Sequence, residues 1–416
     1  MTKYSDNNKL FHKLIPDTYL DYTGKIKEEF KYKINIPELK IQNSKFIPNP
    51  EDKFETMLFL PPNPNRIAEG GLRTKGLFKF SYKLGMLNDE LYKDAKNSTF
   101  NANHSKLNIQ NSTLKEIWHI CDLDGNPVVP VPNDIQNKIN NYVSQFQKET
   151  PQFNIQHSTF NIISELPLIT VITVVYNGAK YLEETIQSVI NQTYPNVEYI
   201  IIDGGSTDGT IDIIRKYEDY VDYWVSEPDN GIYDAMNKGI IVSIGEWLNF
   251  MNSGDKFYEE QLLDKIFVIA LVNKGYYDFI YSDTILDGKN LFYCDISDNK
   301  IIHQSVIYRK KIHNQIGPYL VSENLFLSDY IFFMLCKKMK WFKSKEIISV
   351  YSTIGTENKF NYHFKQKIGV DLLFDNISRT YASIMLLLYP EYRIIKKTIV
   401  SLFQKYLKYL RFDRMK

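Results

Sequence analysis

The stretch LITVITVVYNGAKYLEETIQSVINQ, residues 168–192, sets the expected fold of this chain. Its first eight residues form an unbroken aliphatic and β-branched run, which predicts a strand buried on both faces. The sequence Tyr176-Asn177-Gly178 then predicts a loop, and the apolar residues that follow recur at helical spacing. The stretch therefore predicts one strand–loop–helix unit.

The same unit recurs along the following eighty residues. The next strands and helices are expected in VEYIIID (197–203), TIDIIRKYE (210–218), YWVSE (223–227), IYDAMNKGIIVS (232–243) and EWLNFM (246–251). A helix in EEQLLDKIFVIALV and a strand in DFIYSD continue the alternation. Such alternation predicts an α/β fold with a Rossmann-like, mostly parallel sheet flanked by helices, whose ligands bind outside the carboxyl ends of the strands.

Three regions are expected in the 416 residues. Residues 1–165 carry short apolar runs broken by Asn, Pro and Lys, and predict an irregular N-terminal extension. Within it, a hairpin is expected around residues 124–126 and a helix over 133–148. Residues 166–357 predict the α/β domain, and residues 358–416 predict a helical, basic and amphipathic C-terminal segment.

Bulk composition excludes several classes of protein. The net charge of +1 gives no field that would favour nucleic acid, so no nucleic-acid partner is expected. The three cysteines follow no metal-ligand or redox spacing. We find neither a secretory signal at the N-terminus nor a run of about 18 apolar residues, and this predicts a cytoplasmic protein without a spanning helix.

Acidic residues follow three of the expected strands: Asp203, Asp255 and Asp283. A carboxylate at the carboxyl end of a strand is placed to hold a hydrated divalent cation or a ribose hydroxyl. Aspartate in such positions is also common simply as a turn former or helix cap. Each residue taken alone therefore leaves both interpretations open.

The order of four motifs narrows the choice. VITVVYN, IIIDGGSTDGT, SEPDNGIYDAMNKGI and GEWLNFMNSGD follow one another within about ninety residues. Together they closely resemble glycosyltransferase family 2, which has the GT-A fold, and in particular its bacterial O-antigen, capsule and colanic-acid branch. The resemblance covers roughly residues 167–355. It implies an inverting, metal-dependent transfer of a sugar from a nucleotide-diphosphate sugar donor to a hydroxyl of a cell-surface glycan.

The resemblance also implies roles for individual residues. A nucleotide-sugar site is implied at Val174, Tyr176, Asp203, Gly204, Asn237, Asn252, Gly254 and His303. Asp255 and His303 are implied as ligands of Mn or Mg, and Asp329 as the catalytic base. Three positions depart from the family pattern: Gly204 and Gly254 stand where an acid is common, and Met236 stands where relatives often carry Arg.

Two of these residues also have simpler explanations. Asp329 precedes an apolar, aromatic run, where partial desolvation strengthens a carboxylate as a proton acceptor, but Ser328-Asp329 is equally a pattern of helix capping. His303 lies between isoleucine and glutamine in a mostly apolar stretch, as buried structural histidines also do.

Two features lie outside the resemblance. The loop AEGGLRTKG, residues 68–76, has a composition suited to anion binding, and an ordinary loop is the competing interpretation. The tail from residue 383 carries eight Lys or Arg against two acids, which favours peripheral contact with the cytoplasmic face of the inner membrane and a lipid-linked acceptor. Packing of the tail onto the domain is the alternative.

Two other functions remain as alternatives. A non-catalytic scaffold built on a transferase fold would be consistent with Gly204, Gly254 and Met236, because each replaces a polar group. A sugar nucleotidyltransferase would need a Gly-rich, basic loop after the first strand, and that loop here is Tyr176-Asn177-Gly178-Ala179. Asp255, Asp329 and His303 together favour the transferase.

Overall fold

The computed structural model describes residues 12–13, 17–31, 56–79, 82–88, 116–121, 127–131, 133–149, 166–272, 277–353 and 360–387. The chain divides into two compact units. The first comprises Met1–Glu323 and Leu335–Thr353, and the second comprises Asn324–Met334 and Ile354–Lys416.

Strands and helices are numbered in chain order. The strands of the described residues are β1 (His12–Lys13), β2 (Ala68–Gly70), β3 (Leu77–Phe78), β4 (Lys83–Asn88), β5 (Glu116–Cys121), β6 (Pro127–Pro130), β7 (Ile169–Val175), β8 (Val197–Asp203), β9 (Tyr223–Ser226), β10 (Trp247–Phe250), β11 (Lys256–Phe257), β12 (Phe279–Tyr281), β13 (Thr284–Leu286), β14 (Asn290–Phe292), β15 (Val306–Arg309), β16 (Trp341–Lys343) and β17 (Ser349–Tyr351). The helices are α1 (Glu28–Lys31), α2 (Asn133–Glu149), α3 (Ala179–Ile190), α4 (Thr210–Lys216), α5 (Ile232–Val242), α6 (Leu262–Val272), α7 (His313–Ile316), α8 (Ser328–Leu335) and α9 (Phe360–Leu373).

An eight-stranded sheet forms the centre of the first unit, in the order β16-β12-β15-β10-β7-β8-β9-β2. Strands β10, β7, β8 and β9 pair in parallel, whereas β15 and β2 pair antiparallel to their neighbours. The expected α/β fold with a mostly parallel sheet is confirmed. Because the chain proceeds from β7 to β8 on one side and returns to β10 on the other, the order reverses between β7 and β10. This reversal is the switch point at which such sheets bind ligands.

Strands β7 and β8 lie at the heart of the core. All seven residues of each are buried, as the continuous apolar runs of the sequence predict. Their polar members are satisfied inside the protein: the Thr173 hydroxyl, for example, donates to the Met251 carbonyl at 2.7 Å. The sheet therefore leaves room for ligand chemistry only at the strand ends.

Within the described residues, the extension that precedes residue 166 contributes two separate sheets, the pair β1-β3 and the three-stranded β4-β5-β6. Strands β5 and β6 pair antiparallel, as the expected hairpin requires, although the turn residues 122–126 lie outside the described residues. The helix expected over 133–148 is α2.

The same extension also completes the central sheet, which the sequence did not reveal. Strand β2 pairs antiparallel with β9 at the sheet edge. Just beyond it, Arg73 is 1 % exposed and donates to the carboxylate of Glu198 on β8 and to the carbonyls of Leu58 and Val242, at 2.8 and 2.7 Å. Lys75, the other cation of the loop 68–76, pairs with Asp219 at 2.7 Å. Both cations of the loop therefore bind acidic side chains of the protein itself. The loop is a structural latch between the extension and the sheet.

The second unit contains α9 and most of α8. The Tyr330 hydroxyl donates to Asp371 at 2.5 Å, and the Lys367 ammonium bonds the other oxygen of Asp371 at 2.7 Å. Residues 379–387 are helical in the part of the chain that the structure describes. Among the described helices, none is both long and apolar enough to cross a bilayer.

We expect Arg73→Met to lower the free energy of unfolding by about 3–5 kcal/mol, because it leaves the buried Glu198 carboxylate without its charge partner. Lys75→Met is the matched control: it removes a partly exposed ion pair, for which less than about 1 kcal/mol is expected. Urea denaturation followed by circular dichroism measures both. Equal losses in the two variants would contradict the latch.

Candidate active site

The turn after β10 lies at the switch point and carries the residues 252–255. Gly254 has φ of 100°, a left-handed conformation that strains any residue with a Cβ atom. This explains why glycine, not an acid, occupies the position. The buried Thr185 hydroxyl on α3 fixes the turn, because it accepts from the Gly254 amide at 2.9 Å and donates to the Asp255 carbonyl at 2.7 Å.

Asp255 is the acid of this turn, and its side chain is buried. Oδ1 accepts from the Ser352 amide at 2.9 Å and Oδ2 from the Gln304 side-chain amide at 2.8 Å. Burial raises the pKa of the Asp255 carboxyl to about 7, although these two hydrogen bonds oppose the shift. A nearby positive charge stabilises the ionised form of such a desolvated carboxylate.

Two polar atoms beside Asp255 have no hydrogen-bond partner among the described residues. They are Asn252 Oδ1 and Ser253 Oγ, and both are buried. Orphaned buried oxygens are uncommon in folded proteins and point to a ligand at the site. Asn252 Oδ1 and the Asp255 carboxylate are the oxygen type that Mg²⁺ and Mn²⁺ prefer.

These atoms test how well the turn fits a metal. No group of three or more His, Cys, Asp or Glu side chains suited to a metal occurs within the described ranges. A fully protein-bound ion therefore does not fit. Magnesium, however, is commonly held by one or two carboxylates together with water and substrate phosphates, and one carboxylate with one amide oxygen fits that mode.

His303 lies at the end of a buried chain of hydrogen bonds. Its Nε2 is 3.3 Å from the Tyr319 hydroxyl, which is 3.0 Å from the Tyr308 hydroxyl, which is 2.9 Å from His313 Nε2. His313 Nδ1 must donate to the Gly317 carbonyl, 2.9 Å away. Burial lowers the pKa of His313 to about 4, so its ring is neutral near pH 7 and its Nε2 accepts.

The protons of this chain are therefore ordered. Tyr308 donates to His313, Tyr319 donates to Tyr308, and the proton between His303 and Tyr319 is carried by His303 Nε2. This order places a proton of His303 on Nε2, the ring nitrogen that faces Tyr319.

Asn237 contacts Tyr319, one member of this chain of hydrogen bonds. Its side-chain NH₂ donates to the Tyr319 carbonyl at 2.8 Å, and its Oδ1 accepts from the Tyr319 amide at 2.9 Å. The side chain of Asn237 therefore positions Tyr319. Met236, the preceding residue, is 1 % exposed, so no side chain from that position reaches a phosphate.

The loop after β7 carries the largest exposed ring of the site. Val174 is buried and its carbonyl accepts from the Ser253 amide at 3.3 Å, which joins this loop to the turn after β10. Tyr176 is 67 % exposed. Asn177, at φ of 49°, accepts from the Thr207 amide at 2.9 Å and so ties the loop to the segment after β8.

Asp203 organises that segment from inside. Its fully buried carboxylate accepts from the Ser226 hydroxyl at 2.6 Å, the Ser206 hydroxyl and the amides of Gly205 and Ser206. Asp203 thus links the carboxyl ends of β8 and β9, and its hydrogen bonds hold the neighbouring Gly204 in place.

Sequence reasoning missed two residues near Gly204 and Gly205. A Cβ atom built on Gly204 would lie 2.5 Å from Oδ2 of Asp229 and 3.4 Å from the Tyr176 ring. A Cβ atom on Gly205 would lie 3.5 Å from Ile67, a residue of the N-terminal extension. The motif SEPDNG contains Asp229, but nothing in its spacing identifies which strand end its side chain reaches.

The first unit thus brings together the ends of three strands: Val174 and Tyr176 at β7, Asp203 and Gly204 at β8, and Asn252, Gly254 and Asp255 after β10. Gln304, which follows His303 in the sequence, donates to Asp255 and so connects the turn after β10 to the segment that carries His303. Asp329 belongs to the second unit, where it is half-buried in the first turn of α8.

Comparison with known proteins identifies the type of domain. Residues 170–315 match the family model of "Glycosyl transferase family 2". A PGL/p-HBAD biosynthesis glycosyltransferase of Mycobacterium bovis (strain BCG / Pasteur 1173P2) is 29% identical over 180 residues, which is 41% of this chain and 70% of the relative. The Bacillus subtilis (strain 168) glycosyltransferase TuaG, named for teichuronic acid biosynthesis, is 33% identical over 36% of this chain and 59% of the relative.

Among solved structures, Staphylococcus aureus TarS 1-349 in complex with UDP-GlcNAc aligns with a TM-score of 0.41 at 17% identity. The alignment covers 52% of this chain and 69% of that chain.

The shifted pKa of His313 predicts how stability depends on pH. The folded value of about 4 lies below the ordinary 6.5, so the unfolded chain binds the proton more tightly, and stability present above pH 6.5 is lost as the pH falls towards 4. Between pH 7 and 4, we expect the parent to lose up to about 3 kcal/mol more than His313→Asn. Urea denaturation at several pH values in this range measures the free energy of unfolding of both proteins. The same dependence on pH in the parent and in the variant would contradict the lowered pKa of His313.

Proposed function

We propose that this glycosyltransferase, whose residues 170–315 match the glycosyltransferase family 2 model, transfers a sugar from a nucleoside-diphosphate donor to a glycan hydroxyl. The observation that carries the proposal is the orphaned Asn252 oxygen in the same turn as the buried carboxylate of Asp255, whose burial only two hydrogen bonds offset. Both atoms suit a cation that accompanies a diphosphate. In this proposal Tyr176 contacts the nucleobase.

The proposed metal is Mn or Mg, held by Asp255, Asn252 and His303. The chemistry that such an ion would supply there is partial neutralisation of the diphosphate charge. Thr185 fixes the turn that carries Asp255, and the Tyr319 hydroxyl, 3.3 Å from Nε2, helps to orient the ring of His303. With Met236 buried, no arginine is available at that position to share the phosphate charge.

The proposed reaction inverts the anomeric carbon. The acceptor oxygen forms a bond to that carbon as the bond to the diphosphate breaks, and the hydroxyl proton passes to a base, for which we propose Asp329. The nucleoside diphosphate leaves with the bonding electron pair. No covalent enzyme intermediate is needed, because attack and departure occur on opposite faces.

We propose that the acceptor is a lipid-linked glycan of the O-antigen or capsule type, handled at the cytoplasmic face of the inner membrane. Two observations support a membrane-facing second unit. Leu373 and Leu387 are each 76 % exposed, and the sequence from residue 383 adds eight cationic residues. Exposed leucines with an excess of cations suit an anionic lipid surface.

Donor binding provides the first test. We expect one of UDP-, GDP- or dTDP-sugars to bind in the presence of Mn with slow release of nucleotide, and Asp255→Asn to weaken that binding at least tenfold. Calorimetry and a nucleotide-release assay measure the two effects. Without donor, the thermal midpoint of Asp255→Asn should equal or exceed that of the parent at pH 8, because a buried charge has been removed.

Asp212→Asn is the matched control, since the Asp212 side chain is 82 % exposed on α4. It should leave binding unchanged. Binding without nucleotide release would favour the non-catalytic scaffold, and absence of binding to any donor would contradict the proposal.

Membrane contact is tested with the full chain and vesicles. We expect the full chain to bind vesicles that contain about 30% anionic lipid, and to bind them more weakly in high salt. The double variant Lys396→Gln/Lys397→Gln should bind about 30-fold more weakly, because each charge contributes about 1 kcal/mol. The control Lys289→Gln/Lys311→Gln changes two exposed lysines of the first unit. Equal vesicle binding by both double variants would exclude the tail as the contact.

A further inference from the structure

We call the space above Gly204, at the carboxyl end of β8, the slot. Its floor is Gly204, which has no side chain, and the exposed ring of Tyr176 borders it. The carboxylate of Asp229 closes it, with Oδ2 at 2.5 Å and Cγ at 3.2 Å from the point where a Cβ atom of residue 204 would stand. An aromatic ring and a carboxylate thus meet over bare backbone.

The position of Asp229 is fixed by its own loop. Oδ1 accepts from the Gly231 amide at 2.8 Å, which leaves Oδ2 as the oxygen directed at Gly204. The side chain is half-buried, and burial is the largest cause of the raised pKa of this carboxyl, to which the nearby Asp234 and Asp203 also contribute. A desolvated carboxylate benefits from an N–H donor more than a hydrated one does.

We propose that Asp229 selects the nucleobase of the donor by accepting the ring N–H of a base stacked on Tyr176. This inference rests on the proposed function. A carboxylate oxygen accepts hydrogen bonds and, when ionised, donates none. Uracil, thymine and guanine carry a ring N–H on the edge that pairs with other bases, whereas cytosine and adenine carry a lone pair there. The slot therefore favours the first three and repels the other two.

The preference is expected to be large. A site built to bond an N–H group discriminates strongly against an analogue that lacks it, because the buried acceptor is then left unpaired. We expect UDP or GDP to bind at least tenfold more tightly than CDP and ADP. Calorimetry of the full chain with these four nucleoside diphosphates and Mn measures the ratio.

Two variants test the residue. Asp229→Asn should reduce the preference for the N–H bases over CDP at least tenfold, because the amide can present an NH₂ group to the cytosine lone pair. Asp212→Asn, on the exposed face of α4, is the control and should retain the preference. Circular dichroism verifies that each variant folds.

Moving the carboxylate gives a stricter test. Gly204 is not among the glycines with positive φ, so the obstacle to a side chain there is the Asp229 carboxylate itself. Gly204→Asp alone should weaken binding, because two carboxylates then compete for one slot. Gly204→Asp combined with Asp229→Gly returns one carboxylate to the slot and should restore the preference.

The outcomes separate this inference from the function on which it rests. If the parent binds none of the four nucleotides and does not bind dTDP, the proposed donor site fails. If the parent binds them with equal affinity, prefers CDP or ADP, or keeps its preference in Asp229→Asn, the donor site stands and the role of Asp229 is overturned.

Discussion

The complete burial of β7 and β8 is the constraint on which the rest of the molecule depends. Strands that are buried on both faces cannot hold an unpaired polar group along their length without a large desolvation cost. Polar chemistry is therefore confined to the strand ends. Because parallel pairing aligns the carboxyl ends of β10, β7, β8 and β9, residues separated by up to eighty positions converge there.

This constraint explains what the sequence could predict. The apolar runs identify the strands, and the residues that interrupt each run identify Tyr176, Asp203 and Asp255 as neighbours at one edge. Helix α2 and the β5–β6 pairing were also readable, because both depend on local patterns. Local periodicity and strand-end position are sufficient wherever a residue's environment is set by its own element.

Long-range pairings were not readable in the same way. The latch joins Arg73 to Glu198, 125 positions apart, so composition alone left open an anion-binding loop and an ordinary loop, and neither interpretation included this ion pair. The two hydrogen bonds between the Asn237 side chain and the backbone of Tyr319 join residues 82 positions apart and were likewise not readable. Gly204 suggested a missing carboxylate, whereas Asp229 of the next loop occupies the space above it. In each case a tertiary contact, which no local pattern encodes, decides the role.

The burial of Asp255 costs folding stability that a bound ligand can offset. The folded protein holds this carboxyl in a position where burial disfavours its charge, and only two hydrogen bonds offset that cost. Removal of such a group commonly stabilises a protein, so its presence opposes stability in favour of a ligand that supplies compensating charge. The neighbouring Asn252 oxygen follows the same logic, because an acceptor without a partner gains its full bond only on binding. Both residues lie in the turn after β10, at the strand ends where sheets of this kind bind their ligands.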